Sequence, residues 1–181
     1  MRVIQAYING ITRLNDFVGT LVSYLVYAMF LFLIMEVFFR YAMEAPTVWT
    51  NELTQLLFGF YIVMSGGYVM AHREHVNVDI FYSHFSDRTK AIVNIFTSVL
   101  FFLFVGSVLY FGASMAWDSI QSWETSFSAW DPYIWPVKAT IPVAAFLLLL
   151  QGIARLLEDI GVALNLMPAP THKHGTTGEH P

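Results

Sequence analysis

FVGTLVSYLVYAMFLFLIMEVFF, residues 17–39, carries no charged side chain before Glu36. A helix needs about 17–25 apolar residues to cross the hydrocarbon core of a bilayer, and this run meets that length. It is too long for the apolar part of a secretory signal, and no small-x-small cleavage site follows, so it reads as an uncleaved anchor. Three further runs are of comparable character, at about 53–71, 91–117 and 139–157. In lipid each must be a helix, because no water is present to satisfy unpaired backbone groups. The third is long enough to require tilt. The chain therefore reads as an all-α integral membrane protein, with four transmembrane helices in a membrane domain at 17–160.

Composition agrees. The 181 residues are 56% hydrophobic, 17% aromatic and only 12% charged, where soluble domains carry about a quarter charged residues. Sixteen Phe lie mostly in charge-free stretches, as lipid contact requires. The net charge of −4 has no basic patch behind it, which excludes nucleic acid as a partner. The absence of cysteine excludes thiolate metal sites and disulfide-exchange chemistry.

Lys and Arg set orientation when counted over short flanking segments. Arg2, Arg13, Arg73, Arg88, Lys90, Arg155 and Lys173 flank one side of the spans, against Arg40 and Lys138 on the other. Both termini and the middle loop are thus expected in the cytoplasm. All five Trp (Trp49, Trp117, Trp123, Trp130 and Trp135) fall in or beside the two outer loops, where an amphipathic ring finds both lipid and water.

In residues 1–16, Ile4, Ile8, Ile11 and Leu14 recur at helical spacing against Arg2, Gln5, Asn9 and Arg13. That pattern predicts an amphipathic helix at the inner headgroup layer. Residues 166–181 are by composition a disordered cytoplasmic tail, whose His172, His174 and His180 read as solvated side chains rather than ligands.

MAHREHVNVDIF, residues 70–81, gathers His72, Arg73, His75 and Asp79, with His84 nearby. Metal ligation is conceivable at such spacing. No other loop supplies a converging ligand, however, and no histidine lies mid-span, as a haem held between helices requires. The plainer reading is a cytosolic turn, stopped by Arg73, with Val78, Phe81 and Phe85 resting on lipid. No metal, cofactor or catalytic group is expected, and the chain does not read as an enzyme.

Glu36 is a carboxylate inside a span, a costly placement that is often functional. A small multidrug-type exporter acting through it is one alternative, and a redox membrane subunit is another. Glu36 lies near the outer end of its span, four residues before Arg40, so an i,i+4 pair is the simpler account. Across the first outer loop, Arg40 and Glu52 bracket a short segment and are expected to pair, with Thr50 or Asn51 as the helix cap. Pro136 fits a helix start, and Pro142 either falls inside the fourth helix or marks a kink near its outer end. Ser65, Gly66, Gly67, Gly106, Gly112, Ala144 and Ala145 permit close backbone approach. Gln151, the sole amide deep in the fourth span, is suited to a hydrogen bond between helices.

Three segments together carry a family resemblance: VFFRYAMEAPTVWTNEL (37–53), AHREHVNVDIF (71–81) and WETSFSAWDPYIWPVKATIPVAAFLLLLQ (123–151). In this order, and on these sides of four spans, the chain resembles the DctQ-like small membrane subunit of tripartite ATP-independent periplasmic (TRAP) transporters. It departs from the family pattern at Glu36, more often neutral or amide, and at Ala144, commonly glycine. The resemblance implies a small, non-transporting subunit in the bacterial inner membrane. Such a subunit braces a large elevator-type subunit in sodium-coupled organic-acid uptake and helps receive a periplasmic substrate-binding protein. It implies structural or subunit-contact roles for Arg40, Trp49, Glu52, Arg73, His75, Asp79, Pro142 and Gln151. An outer docking face would then comprise Trp123, Ser126, Trp130, Pro132 and Trp135. Expected partners are the large subunit, the binding protein and membrane lipids.

Overall fold

The computed structural model describes residues 2–72 and 87–164. Five helices account for nearly all of them: α1 (Arg2–Ser23), α2 (Leu25–Tyr41), α3 (Thr50–Ala71), α4 (Asp87–Gln121) and α5 (Trp135–Ala163). The described residues contain no strand, only an isolated bridge between Thr125 and Tyr133. Four stretches are long and apolar enough to cross a membrane: Ile4–Tyr41, Thr50–Ala71, Thr89–Gln121 and Trp135–Ala163. The chain is an all-α, multi-pass membrane protein, as the apolar runs require.

The first crossing stretch is divided. Only Tyr24 separates α1 from α2, and its backbone stays right-handed, at φ −65° and ψ −20°. The Tyr27 amide donates to the Tyr24 carbonyl at 3.2 Å, which tightens the turn. The Ser23 hydroxyl donates to the Thr20 carbonyl at 2.7 Å. Such back-bonding bends helices without any proline or glycine.

Helix α5 is the hub, lying against α4, α3 and α1, while α2 joins through α3 and α1. Helix α4 packs mainly on α5. Its 35 residues extend about 52 Å at 1.5 Å per residue, well beyond a core of roughly 30 Å. Its other faces are open. Phe96, Leu100, Leu103, Phe104, Tyr110 and Phe111 are all exposed, as are Tyr27, Phe30, Leu31, Ile34 and Phe38 of α2. In water such faces would drive aggregation; in a bilayer they are solvated by lipid or by another subunit.

Close approaches are set by Gly19 against Tyr68, by Gly152 against Phe101, and by Gly67 and Gly112. Gly67 of α3 lies against the side-chain oxygen of Asn15, and a Cβ at Gly112 of α4 would meet Ile141 Cγ2 at 2.9 Å. Ala144 and Ala145 are buried on α5. Gly66 and Gly106, expected to serve the same purpose, have open space where a Cβ would stand. Composition shows that a residue is small, not which way it faces.

The predicted spans are shorter than the helices. Polar ends such as Asp118–Gln121 and Leu157–Ala163 remain helical because no proline stops them there. Pro136 sits in the first turn of α5 and Pro142 inside it, as expected. Helix α3 differs at its start: Thr50 is already helical, Trp49 is the cap residue, and no side chain caps the helix. The Thr50 hydroxyl is instead engaged by that of Thr47.

Candidate functional site

At one end of the bundle the α2–α3 and α4–α5 loops meet. Glu36 is almost wholly buried, at 4% exposure. Arg40, one turn further along α2, donates to Glu36 Oε1 through Nε at 3.1 Å and Nη2 at 2.5 Å. The other carboxylate oxygen accepts the Thr47 amide at 3.2 Å and also the Thr47 hydroxyl. Thr47 reaches Thr50, which is fully buried at the head of α3. One carboxylate thus folds the loop back onto α2 and sets where α3 begins. Charge-assisted bonds of this kind are the strong ones.

The expected pair between Arg40 and Glu52 is not formed. Arg40 is taken by Glu36 on its own helix, where geometry needs no loop closure. Glu52, in the first turn of α3 as expected, accepts the Ser128 hydroxyl at 2.5 Å. The residue Glu52 engages is thus on the α4–α5 loop and not on α2.

That second loop is heavily bonded within itself. The Ser126 amide donates to the Pro132 carbonyl at 3.0 Å, and the Ile134 amide to the Glu124 carbonyl at 3.0 Å. Across the tip, the Phe127 amide donates to Asp131 Oδ1 at 2.9 Å and the Asp131 amide to Ser128 Oγ at 3.0 Å. At the base, Lys138 Nζ donates to both oxygens of Glu124, at 2.7 and 2.6 Å. That ammonium holds the Glu124 carboxyl below its ordinary range. Trp123, Phe127 and Asp131 have positive φ, of 48°, 54° and 52°. Non-glycine residues hold such conformations at about 1–3 kcal/mol each, and only where surrounding bonds over-determine them.

The aromatic residues expected on this face come together. Trp49 packs on Phe32 and on Trp130, with ring centroids 6.0 and 6.5 Å apart. Trp123 packs edge-on to Tyr133 at 6.0 Å and to Trp135 at 6.1 Å. Trp49, Trp123, Ser126, Trp130, Pro132 and Trp135 therefore lie on two loops locked to one another. Phe127 stands at the tip and is 88% exposed.

The opposite end is held by amides. Asn15 Nδ2 of α1 donates to Gln151 Oε1 of α5 at 2.9 Å, with both side chains buried. The Gln151 amide faces Thr12 Oγ1 at 3.5 Å, and the Tyr7 hydroxyl donates to the Leu150 carbonyl at 3.2 Å. Gln151 thus makes the bond between helices expected of it, with a partner the hydropathy reading had placed outside the spans. Ile4, Ile8 and Ile11 are half-buried on the side of α1 that holds Asn15, while Gln5, Asn9 and Arg13 face outward. His72 Nε2 lies 3.6 Å from Asp16 Oδ1, linking α3 to α1. Asn94 of α4 donates to Asp159 of α5 at 3.3 Å. Arg73, His75, Asp79 and His84 fall outside the described residues, as does the tail with its three histidines. Among the described residues no three His, Asp or Glu side chains converge as metal ligands.

The arrangement is a locked scaffold. Among the buried polar side chains, Asn15, Glu36, Thr50 and Gln151 each have a partner within the chain. Glu36, which an exporter would need available to a substrate, is held by Arg40 and Thr47. Lys138, Ser128, Thr47 and Asn15 were not singled out from the sequence, since each gains significance only from a partner distant in the chain or across a loop.

Comparison with known proteins gives the same direction. The model of the DctQ component of tripartite ATP-independent periplasmic transporters matches residues 29–161. The sialic acid TRAP transporter permease protein SiaT of Haemophilus influenzae (strain 86-028NP) is 23% identical over 159 residues, which is 88% of this chain and 25% of that protein. The chain thus spans about a quarter of the length of that relative. The family match covers both locked loops and the Gln151 end of α5, and the chain belongs to the DctQ component family of TRAP transporters, a transporter component and not an enzyme.

Proposed function

We propose that this chain is the small, non-transporting membrane subunit of a TRAP transporter, bracing a large multi-span subunit in the bacterial inner membrane. Both termini face the cytoplasm in this reading. The locked loop end faces the periplasm, where it helps receive a soluble substrate-binding protein during sodium-coupled uptake of an organic acid. Residues 1–16 begin α1 at the inner headgroup layer, and residues 166–181 form a cytoplasmic tail. Arg73, His75 and Asp79 hold the inner loop against headgroups or the large subunit.

The observation that carries this reading is the family match, joined to a much longer relative, of which the match covers 25%, whose printed name is a permease. A domain that exists as one part of a longer permease has a natural partner in the remainder. The internal locking supports a brace: Asn15 with Gln151, and Glu36 with Arg40 and Thr47, satisfy one another, whereas a moving transport element keeps polar groups available to cargo. The wide apolar faces of α2 and α4 are suited to lipid and to a membrane partner.

Purification in mild detergent with the large subunit co-expressed tests the assignment. A stable complex is expected. In liposomes, uptake of an organic acid should require the large subunit and be absent with this chain alone. Transport by this chain alone would overturn the reading.

A further inference from the structure

The charges of the chain are unevenly divided between its ends. Around the two locked loops stand six carboxylates, Glu36, Glu44, Glu52, Asp118, Glu124 and Asp131, against Arg40 and Lys138. Elsewhere seven acids face seven Lys and Arg, so the whole net charge of −4 belongs to this end. Its two cations are already engaged, Arg40 by Glu36 and Lys138 by Glu124. Glu44, Asp118 and Asp131 are exposed.

Phe127 projects from this acidic surface. Its aromatic neighbours pack on one another while keeping part of their surface open, Trp123 at 63% and Tyr133 at 55% exposure, whereas Phe127 has no ring partner among the described residues and is 88% exposed. Its backbone is held left-handed at φ 54° by the carboxylate of Asp131 on its amide. Ser128 beside it is fastened to Glu52 of α3. A large apolar side chain carried on a strained, bonded backbone tip fits a shape-specific socket.

We propose that Phe127 is the anchor of a protein-docking site, flanked by Asp131 and Glu52, that inserts into an apolar socket rimmed by Lys and Arg. The occupant is the water-soluble substrate-binding protein, and in this the inference rests on the function proposed above. Two observations favour a protein over a membrane surface. Anionic headgroups are repelled by an end carrying the entire negative charge. Lipid is also soft, and a side chain entering it needs no fixed left-handed backbone. The uncompensated carboxylates steer a basic partner toward the knob and reject an acidic one.

The test uses the complex of small and large subunits in lipid nanodiscs, with the transporter's own substrate-binding protein as the soluble probe. Phe127→Ala is expected to weaken binding about tenfold or more, with Phe127→Leu intermediate. Binding to the unaltered complex should weaken as salt rises from about 0.1 M to about 1 M, which shortens the screening length from roughly 10 to 3 Å. Glu44→Gln with Asp118→Asn should flatten that salt dependence. Recovery of the large subunit with Phe127→Ala should be unchanged; its loss would place Phe127 in the subunit interface and overturn the proposal. Equal binding by Phe127→Ala and the unaltered complex overturns it while leaving the subunit assignment intact. No binding by the unaltered complex removes the docking role itself. Since this chain has no native cysteine, Phe127→Cys carries a single fluorophore once any cysteines of the large subunit are replaced. Quenching of that dye by brominated lipid before the partner is added would reassign Phe127 to the membrane. Protection only after the partner is added supports docking.

Discussion

Arg40 gives its guanidinium to Glu36 one turn back on the same helix, with Nη2 2.5 Å from Oε1, and leaves Glu52 to a serine on another loop. The α2–α3 loop is therefore stabilised from within α2. Arg40→Ala and Glu36→Gln are each expected to lower the melting temperature of the purified chain, with Glu52→Gln the mildest of the three. Exchanging Arg40→Glu with Glu52→Arg should rescue nothing. In a double-mutant cycle, coupling between positions 40 and 52 should stay within about 0.5 kcal/mol, the additivity limit for sites without shared bonds. Larger favourable coupling would restore a direct pair.

The Asn15–Gln151 bond joins α1 to α5 in a buried setting. Hydrogen bonds between helices in membranes contribute about 0.6–2 kcal/mol. Asn15→Leu and Gln151→Leu should each destabilise by about 1–2 kcal/mol in detergent unfolding, because the remaining buried amide loses its bond across the two helices. The double variant should cost clearly less than the two single changes added together. Strict additivity would mean that the bond is not made.

Gly112 and Gly106 are a matched contrast within α4. A Cβ at Gly112 meets Ile141 Cγ2, and one at Gly106 meets nothing. Gly112→Val is expected to separate α4 from α5 at a cost of about 1–3 kcal/mol, the usual range for overpacking. Gly106→Val should leave the stability of the isolated chain nearly unchanged. If it nonetheless prevents recovery of the large subunit, α4 presents that position to the partner.

Acid should loosen the second loop at its base. Lys138 holds Glu124 below its ordinary carboxylate value of 4.5. A carboxylate with a depressed folded pKa contributes stability that is fully present above the unfolded value and disappears as pH falls through the folded one. The contribution is thus constant at neutral pH and declines only at pH below about 4.5. Trp123 and Trp135 pack on each other nearby, so intrinsic fluorescence should report the transition. Glu124→Gln should abolish the acid step and give a looser loop at neutral pH. An identical acid titration in that variant would assign the step elsewhere.

Orientation can be read with a phosphatase reporter that is active only outside the cytoplasm. Fusion after Ser126 is expected to be active, and fusions after Asp87 or at the C-terminus silent. Activity at the C-terminus would invert the sides given to the two ends.

Most of the architecture was legible because lipid imposes a simple requirement: an apolar run of sufficient length must be a helix. Helix limits were less legible, since hydropathy ends at the edge of the lipid and a helix does not. Asp87 and Gln121 close α4 several residues beyond the apolar run at 91–117. The break at Tyr24 had no proline or glycine to announce it. Among site residues, Gln151 and the i,i+4 pair of Glu36 and Arg40 were readable from local spacing. Glu52 was misassigned because its partner, Ser128, lies 76 residues away. Periodicity places residues on a face but does not choose among partners that only folding brings near. Asn15 was overlooked for a related reason: next to Asp16 and Arg13, it resembled a surface residue until α5 covered it.

The bond between Asn15 and Gln151 also has a consequence in time. Its donor lies in α1 and its acceptor in α5, 136 residues later in the chain. At about 5–20 residues per second, the amide of Asn15 waits on the order of ten seconds for its partner. A chain that stops before α5 never supplies one, and the Asn15 amide beside Gly67 then keeps only its 3.2 Å bond to the Ile11 carbonyl on its own helix. The seam between α1 and α5 therefore closes late, together with every other contact that the hub helix makes.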